Sequence, residues 1–165
     1  MAESGLHTAV DLIQLAITHR VTIGTAESLT GGAVAAAIVD VPGASSCFEG
    51  SVVSYSHAVK EKVLGVSHDL LETRGAVDPE IAQAMALGTR SALGVDWAVS
   101  TTGVAGPEPH DGQAVGTVYI GVSGPRGEDH LELHLDGGRA AIREESVSRA
   151  VDFLASQIEL TDNFQ

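Results

Sequence analysis

Three side chains in this 165-residue chain have types and spacing that could do chemistry together: Ser28, Tyr55 and Lys60. Ser28 lies within Gly24-Thr25-Ala26-Glu27-Ser28-Leu29-Thr30-Gly31-Gly32-Ala33. The apolar, β-leaning run Val21 to Ile23 leads into that stretch and the small-residue run Ala33 to Val39 leads out. The order reads as strand, tight turn and helix, with the serine at the turn. Small residues there let another molecule approach the backbone closely. The free N–H groups at the start of the helix, after Thr30, read as an anion or oxyanion site. A serine so placed is a nucleophile, a ligand clamp or a helix cap. Tyr55 closes the β-leaning run from Phe48 to Ser56, and Lys60 follows at the start of a short helix. If the first two strands are neighbours, their C-terminal ends bring all three residues to one rim, where ligands bind in open α/β sheets. A lysine activates a serine only when neutral, which requires burial or nearby cations. Tyr55 would then position or relay the proton. Each residue also has a plainer reading: a cap, a half-buried strand residue, a solvated helix residue.

Other chemistries are less well supported. The glycine-rich turn lacks the lysine and spacing of a P-loop, and no Gly-x-Gly-x-x-Gly follows a strand. Ala-Glu-Ser-Leu-Thr does not match the Gly-x-Ser-x-Gly elbow. No histidine is placed to serve Ser28, so a Ser-His-Asp triad is not readable. His130 and His134 share one strand face without a third ligand, so no metal site is expected there, since such sites need three or four. The lone Cys47 excludes an internal disulfide and fits a reducing cytoplasm, with burial as a small hydrophobe its simplest role.

The elements that must position these residues follow from periodicity. Leu6, Val10, Ile13 and Ile17 recur at helical spacing, predicting an amphipathic helix near 5–19. A strand over 21–25, a helix after Gly32 that stops before Pro42-Gly43, and a strand from Phe48 to Ser56 come next. In that strand Ser51, Val53 and Tyr55 share a face. Short helices follow around Lys60 to Leu64 and His68 to Thr73. Asp78-Pro79-Glu80 starts a longer helix, with Asp as N-cap and Pro at the first helical position, running to Gly94. A strand at 97–100 leads into the loop Thr102-Gly103-Val104-Ala105-Gly106-Pro107. Strands over 115–122 and 130–135 are joined through Gly124-Pro125-Arg126-Gly127. A last helix over 139–160 turns Ile142, Val147, Val151 and Leu154 inward, and 161–165 form a frayed end. The expected fold is an α/β, three-layer α/β/α sandwich with a mixed sheet, forming a single domain over 1–165.

Charge narrows the partners. Twenty-two acids against nine bases give a formal charge of −13. A uniformly acidic surface disfavours nucleic acid and anionic membrane, which need clustered cations, but admits a small phosphorylated ligand held by a few local donors. With no signal pattern and no run near the ~18 apolar residues of a membrane span, the expected location is the cytoplasm. A homodimer is the oligomer such a small domain commonly forms.

Five motifs then occur in order: Thr-Ala-Glu-Ser-Leu-Thr-Gly-Gly (25–32), Ser-Tyr-Ser-His-Ala-Val-Lys (54–60), Gly-Ala-Val (75–77), Thr-Gly-Val-Ala-Gly-Pro (102–107) and Val-Gly-Thr-Val-Tyr (115–119). Together they resemble the C-terminal domain of the CinA family, the nicotinamide-nucleotide amidohydrolases, across nearly the whole chain and in its stand-alone form. The resemblance implies a cofactor-free, metal-free hydrolysis of the carboxamide of nicotinamide mononucleotide to nicotinate mononucleotide and ammonia, as in pyridine-nucleotide salvage. It implies that Ser28, Tyr55 and Lys60 are the catalytic residues. On that reading Thr30, Gly31 and Gly32 supply oxyanion donors, and Thr102, Gly103, Ala105 and Gly106 form the facing wall. Arg139, kept from the family's pattern before the last helix, and Arg143 one turn further on are candidates for the phosphate or for pairing with acids. The chain departs from the family at Leu29, where many members have Cys. It also departs over 108–114, where a Gly-rich stretch ending in Lys-Pro is replaced by Glu-Pro-His-Asp-Gly-Gln-Ala. That removes a cation and adds two acids, so a second reading stays open: a pyridine-nucleotide-binding or interaction module of the competence/damage-inducible type that lacks the chemistry.

Overall fold

A computed structural model describes residues 5–164 of the chain. The elements run α1 (Ala9–His19), β1 (Ile23–Glu27), α2 (Ala33–Val39), β2 (Phe48–Val53), α3 (His57–Leu64), α4 (His68–Arg74), α5 (Pro79–Leu93), β3 (Trp97–Gly103), β4 (Thr117–Gly124), β5 (Gly127–His134) and α6 (Arg139–Glu159). The strands form one sheet in the order β2-β1-β3-β4-β5. β1 pairs parallel with β2 and β3, whereas β3-β4 and β4-β5 are antiparallel, so the sheet is mixed. Helices α1, α2 and α6 cover one face and α3 and α5 the other, which is the three-layer α/β/α arrangement.

The two layers have separate apolar cores. Leu12, Ile13 and Ala16 of α1 meet Ile38 of α2 and Ile142, Leu154 and Ile158 of α6 over Ile23 and Val99. On the other face Ala26 packs with Leu64, Leu71, Ile81 and Met85. Gly88 lets α3 and α5 touch: a Cβ there would lie 2.0 Å from the Leu64 carbonyl oxygen. That close approach seats the helix that carries Lys60.

Several boundaries differ from the sequence expectation, each for a local reason. Helix α1 begins at Ala9 because Thr8 and Asp11 form a capping box. Its buried stripe is Leu12, Ile13 and Ala16, while Leu6, Val10 and Ile17 are about half exposed. The spacing is helical as expected and Ile13 points inward, but Leu12 and Ala16, rather than Val10 and Ile17, complete the buried face. Arg20 caps α1 in the left-handed region (φ 56°), and Val21 and Thr22 are spent on the connection, so β1 starts at Ile23 and runs on through Glu27. Strand β2 ends at Val53 because Ser56 is the N-cap of α3, its hydroxyl accepting the Val59 N–H at 3.2 Å. Tyr55 therefore leaves the strand. The β4-β5 connection shortens to two residues, Pro125 and Arg126, between the paired Gly124 and Gly127. The chain end forms a 3-10 turn over Leu160–Phe164, and Gln165 lies outside the described residues.

Candidate active site

The site grows from the end of β1. Alternation along the strand points Glu27 toward the α2 layer and passes Ser28 to the side of α3. Parallel pairing of β1 with β2 and β3 aligns their C-terminal ends. The Ser28 N–H donates to the Thr101 carbonyl at 3.0 Å and the Ser54 N–H to the Glu27 carbonyl at 2.9 Å. Lys60, near the N-terminus of α3, then reaches under the turn. Its Nζ lies 2.9 Å from Ser28 Oγ, 2.7 Å from the Ser54 carbonyl oxygen and 3.1 Å from the Tyr55 carbonyl oxygen. The side chain is fully buried. Burial pushes its pKa down from 10.5 to about 8, with the Asp111 carboxylate pulling weakly the other way. A neutral amine has two N–H bonds and one lone pair. With both N–H groups on the two carbonyls, the lone pair is left for the Ser28 hydroxyl proton.

A cavity of about 340 Å³ opens over this pair, within the ~300–1,000 Å³ range of small-molecule sites. Ser28 and Lys60 line one part; Thr102, Gly103, Ala105 and Gly106 form the facing wall. Thr102 is buried, donating its hydroxyl to the Ala76 carbonyl at 2.7 Å. Gly106 takes a left-handed φ of 84°, precedes a cis peptide to Pro107, and accepts a hydrogen bond from Arg139 Nη1 at 2.6 Å. A buried serine 2.9 Å from a buried lysine amine, beneath a ligand-sized cavity, has the geometry in which a neutral amine can take a hydroxyl proton.

Comparison with known proteins gives the family and the fold. The CinA C-terminal domain profile matches residues 6–158. The chain belongs to that family. A CinA-like protein of Frankia casuarinae is 44% identical over 143 residues, covering 87% of this chain and 33% of the relative. A CinA-like protein of Prochlorococcus marinus is 46% identical over 136 residues, covering 81% of this chain and 32% of the relative. The chain thus spans about one third of the length of these curated relatives. Among solved structures, a CinA superfamily protein of Klebsiella pneumoniae superposes with a TM-score of 0.88 at 28% identity, covering 92% of this chain and 95% of that one. The competence/damage-inducible protein CihA of Agrobacterium tumefaciens superposes with a TM-score of 0.82 at 32% identity, covering 93% and 98%.

The remaining site residues of the sequence reading are placed differently from one another. Tyr55 lines the cavity, but its side chain is 64% exposed and its hydroxyl forms no hydrogen bond among the described residues. What it gives Lys60 is its carbonyl, because the chain has already left β2. Thr30, Gly31 and Gly32 do not line the cavity, and the start of α2 is not open to an anion. The buried Glu27 carboxylate occupies it, accepting the Val34 N–H at 2.8 Å and the Ala35 N–H at 3.0 Å. The Gly31 N–H is turned back on the Ser28 carbonyl and the Ala33 N–H on that of Thr30. Leu29 lines the cavity next to Ser28, and its N–H has no hydrogen-bond partner among the described residues. Arg143 is spent on backbone: Nε donates to the Leu29 carbonyl at 2.9 Å and Nη2 to that of Thr30 at 3.1 Å. It ties α6 to the serine turn and leaves Arg139 as the arginine on the cavity.

Four residues had escaped the sequence reading. Glu27 was visible as an acid inside an otherwise uncharged strand, a placement that requires fixed donors. Thr101 accepts from the Ser28 N–H at 3.3 Å and bonds Thr30 Oγ1 at 2.7 Å, a link that needs the β1-β3 pairing to be seen. His57 and His110 line the cavity and stand near Asp111. Elsewhere, His130 meets Gln83 and His134 meets Glu132, and the described residues contain no group of three side chains able to hold a metal.

Proposed function

We propose that the chain is an amidohydrolase that deamidates nicotinamide mononucleotide through Ser28, with Lys60 as base. The observation that carries this reading is the 2.9 Å approach of the buried Lys60 Nζ to Ser28 Oγ, with two carbonyls holding the other donor positions. Family membership and the cavity volume add support; so does the facing wall of small residues.

Neutral Lys60 takes the Ser28 hydroxyl proton while Oγ bonds to the carboxamide carbon. The Leu29 N–H, next to the nucleophile, is the donor available to the tetrahedral oxyanion, a contribution typically worth ~3 kcal/mol. The C–N bond breaks as Lys60 passes its proton to the leaving nitrogen, releasing ammonia. Water then attacks the acyl-serine, giving a proton to Lys60, and the proton returns to Oγ as the C–O bond breaks. Tyr55, at the cavity mouth, serves through its carbonyl on Lys60 and through its ring against the ligand.

The test is ammonia release from nicotinamide mononucleotide. Wild-type protein should release it, and Ser28→Ala should lose at least ~10³-fold in kcat with its fold intact. Lys60→Arg should fall similarly, because a guanidinium stays charged. Near-wild-type turnover in either variant overturns the assignment of that residue. The altered 108–114 loop favours one other reading, a binding module; nucleotide binding by wild-type protein without ammonia would establish it.

A further inference from the structure

Residues 108–114, where the chain departs from the family's pattern, contain a built hairpin. Asp111 and Gly112 take left-handed φ values of 50° and 72°. The His110 N–H donates to the Gln113 carbonyl at 3.2 Å and the Gln113 N–H to the His110 carbonyl at 2.8 Å. Asp-Gly between mutually bonded residues, both at positive φ, is a two-residue type I′ turn. The turn carries a carboxylate at its tip, and that carboxylate is committed to the protein itself. Asp111 Oδ2 accepts the Ala76 N–H at 2.8 Å. Asp111 also seats against Gly75, where a Cβ would come within 2.8 Å of Asp111 Cβ. The Ala76 carbonyl in turn accepts the Thr102 hydroxyl at 2.7 Å, and the adjacent Thr101 carbonyl accepts the Ser28 N–H at 3.0 Å. A continuous run of bonds thus joins the hairpin tip, through Ala76 and the end of β3, to the serine turn.

Asp111 does not line the cavity over Ser28. It lies behind that wall, in a groove shared with His57 of α3 and with Glu72 and Arg74 of α4. The residues on either side of its bond do line the cavity: Pro107 and His110 on the hairpin side, Ala76 and Val77 on the other. His57 Nε2 stands 3.6 Å and His110 Nε2 3.5 Å from Asp111 Oδ2. Arg74 is held instead by Asp78 at 3.3 Å and Glu80 at 3.1 Å. The clamp itself is a backbone N–H on a carboxylate oxygen, so it holds whatever the protonation of the two rings. We propose that Asp111 is a positioning residue, which clamps the 108–114 hairpin onto Ala76 and so fixes the wall that faces Ser28 and Lys60. The carboxylate also reaches the site through its charge. Burial pushes the Lys60 pKa down, and Asp111 is the group that opposes it.

The inference rests on the amidohydrolase reading only for the kinetic part of its test. Asp111→Asn keeps an acceptor for the Ala76 N–H and suits the left-handed turn, whereas Asp111→Gly keeps the turn and removes the acceptor. Residues 108–114 belong to none of the apolar cores, so both variants should keep the fold. Amide hydrogen exchange at Ala76, followed by NMR, should speed at least about tenfold in Asp111→Gly and less than about threefold in Asp111→Asn. With nicotinamide mononucleotide, kcat/KM should fall at least about tenfold in Asp111→Gly and stay within about threefold in Asp111→Asn. Lys60 and Lys62 are the only lysines in the sequence, so protein labelled at lysine reports the Lys60 titration with exposed Lys62 as the reference. In Asp111→Asn that titration, and with it the pH profile of turnover, should move to lower pH. Wild-type exchange at Ala76 or wild-type kcat/KM in Asp111→Gly overturns the clamp, and an unmoved Lys60 titration in Asp111→Asn overturns the link through charge. If the wild-type protein releases no ammonia, the deamidase reading falls, while Ala76 exchange and the Lys60 titration still decide the role of Asp111.

Discussion

A lysine that shares its ammonium with two carbonyls and a serine is useful as a base only when it has lost a proton. Burial brings the Lys60 pKa to about 8, so the neutral form is a minority species at pH 7 and dominates above pH 8. Turnover of nicotinamide mononucleotide should therefore climb about tenfold per pH unit below the transition and level off near pH 8 to 9. A profile flat from pH 6 to 9 would remove Lys60 as the base. The same shift has a stability consequence of definite sign. Between about pH 8 and 10.5 the unfolded chain carries a lysine proton that the folded protein has released. Stability then rises with pH across that window relative to a Lys60→Met variant, and the cost of burying the ammonium is fully present below pH 8. Thermal melts of the two proteins at pH 7 and pH 9.5 measure it; an unchanged difference in melting temperature contradicts the burial argument. Ser28 and Lys60 were legible in the sequence because turn chemistry and strand order bring them to one rim. The Tyr55 hydroxyl, the oxyanion donors and Arg143 were misplaced because each depends on which carbonyl or carboxylate a side chain meets. Spacing does not encode that.

At the scale of elements, β1 serves both layers at once. Its last residue, Glu27, reaches the N-terminus of α2 and the next, Ser28, turns toward α3, so the position of Ser28 is tied to the helix that follows it. Glu27 accepts two backbone N–H groups and the Ser51 hydroxyl at 3.2 Å, and Ser51 in turn accepts from Thr25 at 2.6 Å. Glu27→Gln keeps the volume but turns an amide NH2 toward a backbone N–H. Leaving one buried donor unsatisfied costs about 1–3 kcal/mol. Equilibrium unfolding in urea should show that loss, and turnover should fall further than stability as the serine turn shifts. A variant with wild-type stability and turnover would show that the carboxylate is dispensable. The elements themselves were readable where local chemistry was strong: the Asp78-Pro79 cap, the Gly94 stop, the order of strands and helices. They were misread where tertiary context chose between equal patterns. Of the expected stripe Leu6-Val10-Ile13-Ile17 only Ile13 is buried, and packing against α6 selects Leu12 and Ala16 as its partners. Likewise the β-leaning run of Phe48 to Ser56 was cut short by Ser56 acting as a cap.

At the scale of the whole molecule, 22 acids and 9 bases coexist with a cavity lined by Lys60, Arg139, His57 and His110. The described ion pairs do little to offset the surplus, since most involve histidine or exposed side chains that contribute little each. Net self-repulsion should then outweigh local pairing in the balance of surface electrostatics. At low ionic strength the repulsion acts across the molecule, because the Debye length is ~30 Å at 0.01 M; at 0.15 M it shrinks to ~8 Å. Raising sodium chloride from 10 to 150 mM should accordingly stabilise the fold by about 1 kcal/mol, seen as a rise of ~2–4 °C in melting temperature for a chain of this size. Potassium chloride should give the same rise, since screening depends on ionic strength and not on the cation. A melting temperature that falls with salt would mean that specific ion pairs, not net charge, dominate the surface.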